Sequence, residues 1–265
     1  MKKNKNILSS SVAGKTVFIT GGYGTIGKAI VSAFIENGAK VFVGDLLKNK
    51  PNGGIFARKY IKHIELDISS EKSIRDAFGV FSSKGKTGLD VFINSAYPRT
   101  SDWGLKLEEI PFRSFNKNLT DHLGGYCFTS KIAAEIMKKN GRGGVIINFA
   151  SIYGVVAPDF SIYEGVPGGM TMPAAYAAIK GGIITFTKYL ATYYGKYNIR
   201  ANCISPGGVF NNQHPVFVKN YSKKVPLGKM AAPRDIAGGV LFLASEAASY
   251  ITGHNLIIDG GFTAW

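Results

Sequence analysis

A chain of 265 residues with 45% hydrophobic side chains suits one large domain or two small ones and can bury a core without disulfide or metal staples. A mean hydropathy of +0.05 excludes a disordered chain, and no apolar run approaches the ~18 residues of a membrane helix. The 32 Lys and Arg against 17 Asp and Glu, a formal net charge of +15, raise nucleic acid or another anionic partner as a class to weigh.

The opening Met1-Lys2-Lys3-Asn4-Lys5 is basic like a signal peptide, but Ser9, Ser10 and Ser11 interrupt the apolar stretch behind it. The expectation is a flexible tail at 1–13, a cytoplasmic protein, and a single domain over 14–265. In chain order, strands are predicted at 16–20, 41–44, 61–66, 89–94, 144–149, 200–205 and 255–258. Helices are predicted near 25–37, 70–84, 114–139, 174–197 and 233–245. The last helix opens with Pro233 and carries Asp235 in its first turn, both favourable at a helix start. Such alternation implies a parallel sheet with right-handed crossovers, and strands apolar throughout imply helices on both faces. The helices at 114–139 and 174–197 are apolar on several sides, through Leu119, Leu123, Phe128 and Ile132, then Ile183, Phe186, Tyr189 and Tyr193. That suits burial in the fold or against another subunit.

Between the first strand and first helix lies Thr20-Gly21-Gly22-Tyr23-Gly24-Thr25-Ile26-Gly27, a G-x-G-x-x-G at Gly22, Gly24 and Gly27. Glycines there permit a tight turn and let backbone touch a pyrophosphate, while the helix N-terminus supplies free N–H groups and the positive dipole end. The expected fold is a Rossmann-type doubly wound parallel sheet of about seven strands. Asp45 closes the second strand, where an acid accepts ribose hydroxyls and repels a 2′-phosphate. It favours NAD; Lys48, Lys50, Arg58, Lys59 and Lys62 nearby leave NADP open.

On the 174–197 helix, Tyr176 and Lys180 stand one turn apart on one face. An ammonium beside a phenol favours the phenolate and is expected to lower its pKa, giving an acid/base for proton transfer. One Y-x-x-x-K is about what thirteen tyrosines and many lysines produce by chance; its company is what carries weight.

With these neighbours the sequence resembles the short-chain dehydrogenase/reductase family from about residue 14 to 265. The motifs occur in the family's order: Thr20 to Gly27, Asp67-Ile68, Asn94-Ser95-Ala96-Tyr97, Asn118-Leu119, Ser151, Tyr176 with Lys180, Ser205-Pro206-Gly207, Ile251-Thr252-Gly253, and Ile258-Asp259-Gly260-Gly261. The resemblance implies an NAD(P)-dependent oxidoreductase acting on an alcohol or carbonyl. Tyr176 is then the general acid/base, Lys180 tunes it and holds the nicotinamide ribose, Ser151 orients the substrate oxygen, and Asn118 positions a relay water. Gly21, Tyr23, Thr25, Ile26, Gly27, Asp45, Asp67, Ile68, Asn94, Ala96, Pro206, Gly207 and Val209, with Tyr176 and Lys180, are implied at the cofactor. A dimer or tetramer is implied as well.

The chain departs from the family in three places. Thr25 stands where the short single-domain branch has glycine, so Gly21, Gly24 and Gly27 are spaced as in the longer sugar-modifying branch; the length and ending fit the short branch. Tyr97 replaces a glycine beside the cofactor, and Asn211 a threonine that reaches the nicotinamide amide. Ser151 and Tyr176 lie 25 positions apart, about a dozen more than usual, so an insertion at about 157–173 is expected over the active site. Tyr153, Tyr163 and Glu164, along with Asp159, are its candidate substrate residues, beside Ser151 and Tyr176. Tyrosine and carboxylate suit a hydroxyl-rich substrate such as an amino sugar, sugar phosphate or nucleotide sugar. The loop and Asn-Phe-Ala-Ser-Ile-Tyr-Gly resemble bacterial enzymes of flagellin modification and nonulosonic acid biosynthesis.

Two other readings stay open: a dinucleotide-binding protein without turnover, and a sugar dehydratase or epimerase using the same Tyr/Lys chemistry. His63, His122, His214 and His254 are scattered, so no metal site is expected, and Cys127 and Cys203 lack metal or disulfide spacing. Of the +15, nine charges fall within residues 1–62, and only seven basic residues are Arg. No nucleic-acid partner is expected, and the surplus suits an anionic cofactor and substrate.

Overall fold

The computed structural model describes residues 11–48, 51, 53–81, 87–169 and 171–265; most of the expected tail lies outside them. Seven parallel strands form one sheet in the order β3-β2-β1-β4-β5-β6-β7: β1 (Thr16–Thr20), β2 (Lys40–Asp45), β3 (Ile61–Glu65), β4 (Val91–Asn94), β5 (Gly144–Phe149), β6 (Ile199–Pro206) and β7 (Asn255–Ile258). The order reverses between β1 and β4, where Thr20 pairs with Asn94, so the crevice at their C-terminal ends is the natural ligand site of a doubly wound sheet.

Helix α1 (Thr25–Glu36) packs with α7 (Pro233–Ala244) on one face. On the other, α4 (Gly125–Asn140) packs against both α2 (Glu71–Phe78) and α5 (Ala174–Tyr194). Helix α2 shows how sequence sets an element: Ser70 caps it by accepting from Ser73 N–H, Glu71 and Arg75 pair across one exposed turn, and Ile74, Ala77 and Phe78 are buried. Beneath it, Phe18, Phe78, Phe81 and Phe92 form an aromatic cluster with centroid separations of 5.0–6.4 Å.

Three expectations are corrected. Val12, placed in the tail, is fully buried in the core, so packed structure begins before residue 14. The single helix expected over 114–139 is α3 (Phe112–Asn118), a π-helical stretch (Leu119–Gly124) and α4. A helix not expected at all, α6 (Pro215–Lys223), follows β6; His214 caps it, Pro215 begins it, and it buries Phe217 and Tyr221 one turn apart.

Candidate active site

The crevice is lined on one wall by the glycine loop. At Gly21 φ is +70°, and a Cβ would sit 2.8 Å from Ala96 Cα. At Gly27 a Cβ would collide with the Gly21 carbonyl and Gly22. Gly27 lets the first turn of α1 close on the Gly21–Gly22 turn, and Gly21 lets that turn close on the loop after β4, the kind of close backbone approach a pyrophosphate cradle needs. The Thr20 hydroxyl ties that loop down, accepting from Ser95 and Ala96 N–H and donating to Asn94 Oδ1. Asn94 is fully buried and donates to Tyr126 O and Thr129 Oγ1, so its side chain braces the crevice from below and does not line it.

Asp45, at the end of β2, accepts from Tyr23 N–H at 3.2 Å and borders a hollow shared with Leu46, Leu47, Asp67 and Ile68. The Tyr23 ring turns inward, stacking on His63 and bonding to its Nδ1. Gly24, Thr25, Ile26, Ala96, Pro206, Gly207 and Val209 line the adjoining cleft, of about 620 Å³. Thr25 Oγ1 donates to Asn211 Oδ1 at 3.1 Å, linking the two loops that flank the cleft.

Ser151, Tyr176 and Lys180 meet on its opposite wall. Ser151 follows β5 and accepts from Tyr153 N–H; α5 brings Tyr176 and Lys180 alongside. Burial raises the Tyr176 pKa above its ordinary 10, and hydrogen bonding with Ser151 pulls it only part of the way back. The net direction is upward, opposite to the lowering expected from Lys180, because burial disfavours the phenolate. Lys180 is itself buried, which brings it down to about 7; its Nζ donates to Phe149 O at 2.7 Å and lies 5.4–5.9 Å from the ring centroids of Tyr97, Tyr126 and Tyr176. A neutral phenol beside a hydroxyl, next to a lysine able to gain or lose a proton near neutrality, can deliver or take up a proton at a substrate oxygen.

Asn118 is not brought to this wall. Its side chain accepts from Thr100 N–H and donates to Thr100 Oγ1 and Ser114 O, pinning the loop that carries Tyr97 and Trp103. Tyr97, in the family's glycine position, stands edge-on to Tyr176 and Trp103 at centroid separations of 5.9 and 5.7 Å.

The insertion is packed, not a plain surface loop. Asp159 caps a short 3-10 turn (Phe160–Tyr163) and pairs with Lys224 at 2.9 Å, while Asn220 on α6 donates to Ile162 O and Glu164 O. Ile162 and Val166 join Ile152, Tyr153, Phe217 and Tyr221 in a second small core beside the cleft. Tyr153 and Tyr163 line the cleft as expected, with Met172. Glu164 does not: it is exposed on the outer face beside Lys223 and Lys224. The carboxylates assigned to substrate are therefore absent from the lining, whose charged residues are Arg99 and Lys180. Sequence reasoning passed over Arg99, Tyr221 and His122, which the fold brings to or beneath this wall. Among the described residues no His/Cys/Asp/Glu group could hold a metal. No helix among them is long and apolar enough to cross a membrane.

This cleft, on a doubly wound sheet with the glycine cradle at its switch point, is that of a nicotinamide-dependent oxidoreductase. A family model described as enoyl-(acyl carrier protein) reductase matches residues 22–263. The chain belongs to the short-chain dehydrogenase/reductase family. It is 32% identical to the post-translational flagellin modification protein A of Campylobacter coli, over 94% of this chain and 98% of the relative. It is also 32% identical to a 3-oxoacyl-(acyl-carrier-protein) reductase of Chlamydia pneumoniae, over 96% and 98%. A short-chain dehydrogenase of Leptospira borgpetersenii, whose crystal structure holds NAD+, superposes with a TM-score of 0.88 at 38% identity, covering 99% of this chain and 98% of that one.

Proposed function

We propose that the chain is an NAD-dependent dehydrogenase or reductase acting on a C–OH or C=O group of a sugar-like substrate that carries an anionic group, within bacterial surface-glycan synthesis of the flagellin-modification type. The observation that carries the chemistry is the meeting of Ser151, Tyr176 and Lys180 on one wall, facing the glycine cradle across the cleft. The loop from Gly21 to Gly27 holds the pyrophosphate, Asp45 the adenosine ribose, and Lys180 the nicotinamide ribose. Bound nicotinamide supplies or accepts the hydride. Ser151 Oγ orients the substrate oxygen, and Tyr176 Oη gives or takes its proton.

The substrate class is supported by the charges of the lining. Arg99 and Lys180 are unopposed there by any carboxylate, since Asp159 is engaged by Lys224 and Glu164 lies outside. A free amino group finds no counter-charge, whereas a phosphate or carboxylate meets the Arg99 guanidinium. Likeness to the flagellin modification protein supports the biosynthetic setting. The stacked, half-exposed rings of Tyr189 and Tyr193 on α5 support a homo-oligomer, dimer or tetramer, through that face.

The test is nicotinamide turnover, followed by absorbance, on matched sugars, acylated amino sugars, sugar acids and sugar phosphates with NAD+ or NADH. Turnover greatest on the anionic members is expected; none across the panel overturns the proposal. For the cofactor, Asp45→Ala raises the Kd for NAD+ roughly ten- to hundredfold, because a charge-assisted hydrogen bond of ~1.5–3 kcal/mol is lost, and it narrows the gap to NADP+. Calorimetric titration of both cofactors reads this directly. An unchanged preference removes Asp45 from the selection.

A further inference from the structure

His122 is a buried imidazole with no part in the proton transfer at Tyr176. It lies in the π-helical stretch, fully buried, one helical turn past Asn118. Its Nε2 is 3.5 Å from Lys180 Nζ, and its Nδ1 has no hydrogen-bond partner among the described residues. Its ring meets Tyr97 edge to face at 5.3 Å and Tyr126 at 5.1 Å. Packing alone does not account for a histidine here: a leucine would fill such a place without leaving a buried nitrogen unsatisfied.

We infer that His122 is the positioning residue of Lys180: its neutral imidazole accepts a hydrogen bond from the ammonium through Nε2 and, with the Phe149 carbonyl, fixes Nζ beneath Tyr176. The inference rests on the role proposed for Lys180.

Three observations support it. The Lys180 ammonium has no carboxylate within ion-pair distance among the described residues, so hydrogen-bond acceptors and rings must hold it. The ionisable groups facing it are His122 from the π stretch, Tyr97 from the loop after β4, Tyr126 from α4 and Tyr176 from its own helix. Of these, only His122 offers a nitrogen lone pair. Burial and the Lys180 charge both hold the His122 pKa well below 6.5, so the ring stays neutral and Nε2 remains an acceptor.

The π geometry explains how the ring reaches the lysine. A π stretch widens the helix locally and re-aims side chains, and here it falls between Asn118, turned toward Thr100, and α4.

Two NMR measurements on the apo protein test this without cofactor or substrate. In wild-type protein with ring-15N-histidine, His122 is expected in the Nδ1–H tautomer and still unprotonated where an ordinary imidazole is charged. An Nε2–H tautomer overturns the inference, because that nitrogen would then be a donor. In protein labelled at lysine Cε, with Lys180 assigned from Lys180→Arg, the midpoint of Lys180 is expected to fall by about one pH unit in His122→Phe and to recover in His122→Gln, whose carbonyl can accept. The same midpoint in all three overturns it. Failure of NAD+ to bind would sink the functional reading and leave both measurements standing.

Discussion

Tyr176→Phe loses about 10²–10⁴ in kcat/KM, with the Kd for NAD+ nearly unchanged. That corresponds to roughly 2.7–5.5 kcal/mol of transition-state stabilisation. The substitution removes one oxygen and leaves the ring, whose edge-on contacts with Tyr97 and Trp103, at 5.9 and 6.2 Å, are all carbon surface. The loss therefore reports proton transfer at Oη and little else. Because burial holds the phenol above its ordinary pKa, it is protonated through neutral pH. Carbonyl reduction, which consumes that proton, is then favoured at neutral pH and declines as the phenol ionises. Alcohol oxidation, which needs the phenolate, climbs with pH over the same range. Steady-state kinetics in both directions across pH, with a separate binding titration, check this. A variant that turns over at the wild-type rate removes Tyr176 from the chemistry.

The same residues show how much the sequence could disclose. β1, β5 and β7 have the bounds that their apolar, β-branched runs dictate, because such runs between glycine-rich or polar breaks fit a pleated, covered surface and little else. The glycine loop was legible for a similar reason: few arrangements other than a close backbone approach explain Gly21 and Gly27 between a strand and a helix. Tyr176 with Lys180 was legible because one turn of helix is a fixed distance. What escaped depended on direction. An α- and a π-helical stretch use the same residues, so nothing local to 119–124 announced that Asn118 would face Thr100 while His122 faced Lys180. Glu164 and Tyr163 are chain neighbours in the insertion, and which one faces the cleft is decided by α6, through the Asn220 contacts with Ile162 O and Glu164 O. That helix was itself overlooked, though Pro215 followed by Phe217 and Tyr221 has the pattern of a short amphipathic turn with one buried side.

Lys180→Met makes the folded protein more stable at low pH even as it removes turnover. Lys180 is 3% exposed, and burial alone depresses its pKa from 10.5 to about 7. In the unfolded chain the lysine keeps its ordinary pKa, so between about pH 7 and 10.5 the unfolded state binds more protons than the folded state, and stability rises with pH across that window. Below about pH 7 both states are charged and the full cost of burying the ammonium is present; above about 10.5 both are neutral and it has vanished. At about 1.4 kcal/mol per pH unit the cost is on the order of 4–5 kcal/mol, partly offset by the hydrogen bond to Phe149 O. Methionine fits the same channel without charge, and the net gain is on the order of 2 kcal/mol at pH 6, a rise in Tm of roughly 4–8 °C. By pH 10 about 4 kcal/mol of that cost has gone, so the advantage is lost and Lys180→Met is the less stable protein. Lys139→Met, at an exposed position on α4, controls for the general loss of one positive charge and shows no such pH dependence. Thermal unfolding of the three proteins from pH 6 to 10 decides the matter: a Lys180→Met advantage that stays level with pH means that the buried ammonium is not what the protein gives up stability to keep. An advantage that fades as predicted ties the lysine's low pKa to the cleft wall that holds it.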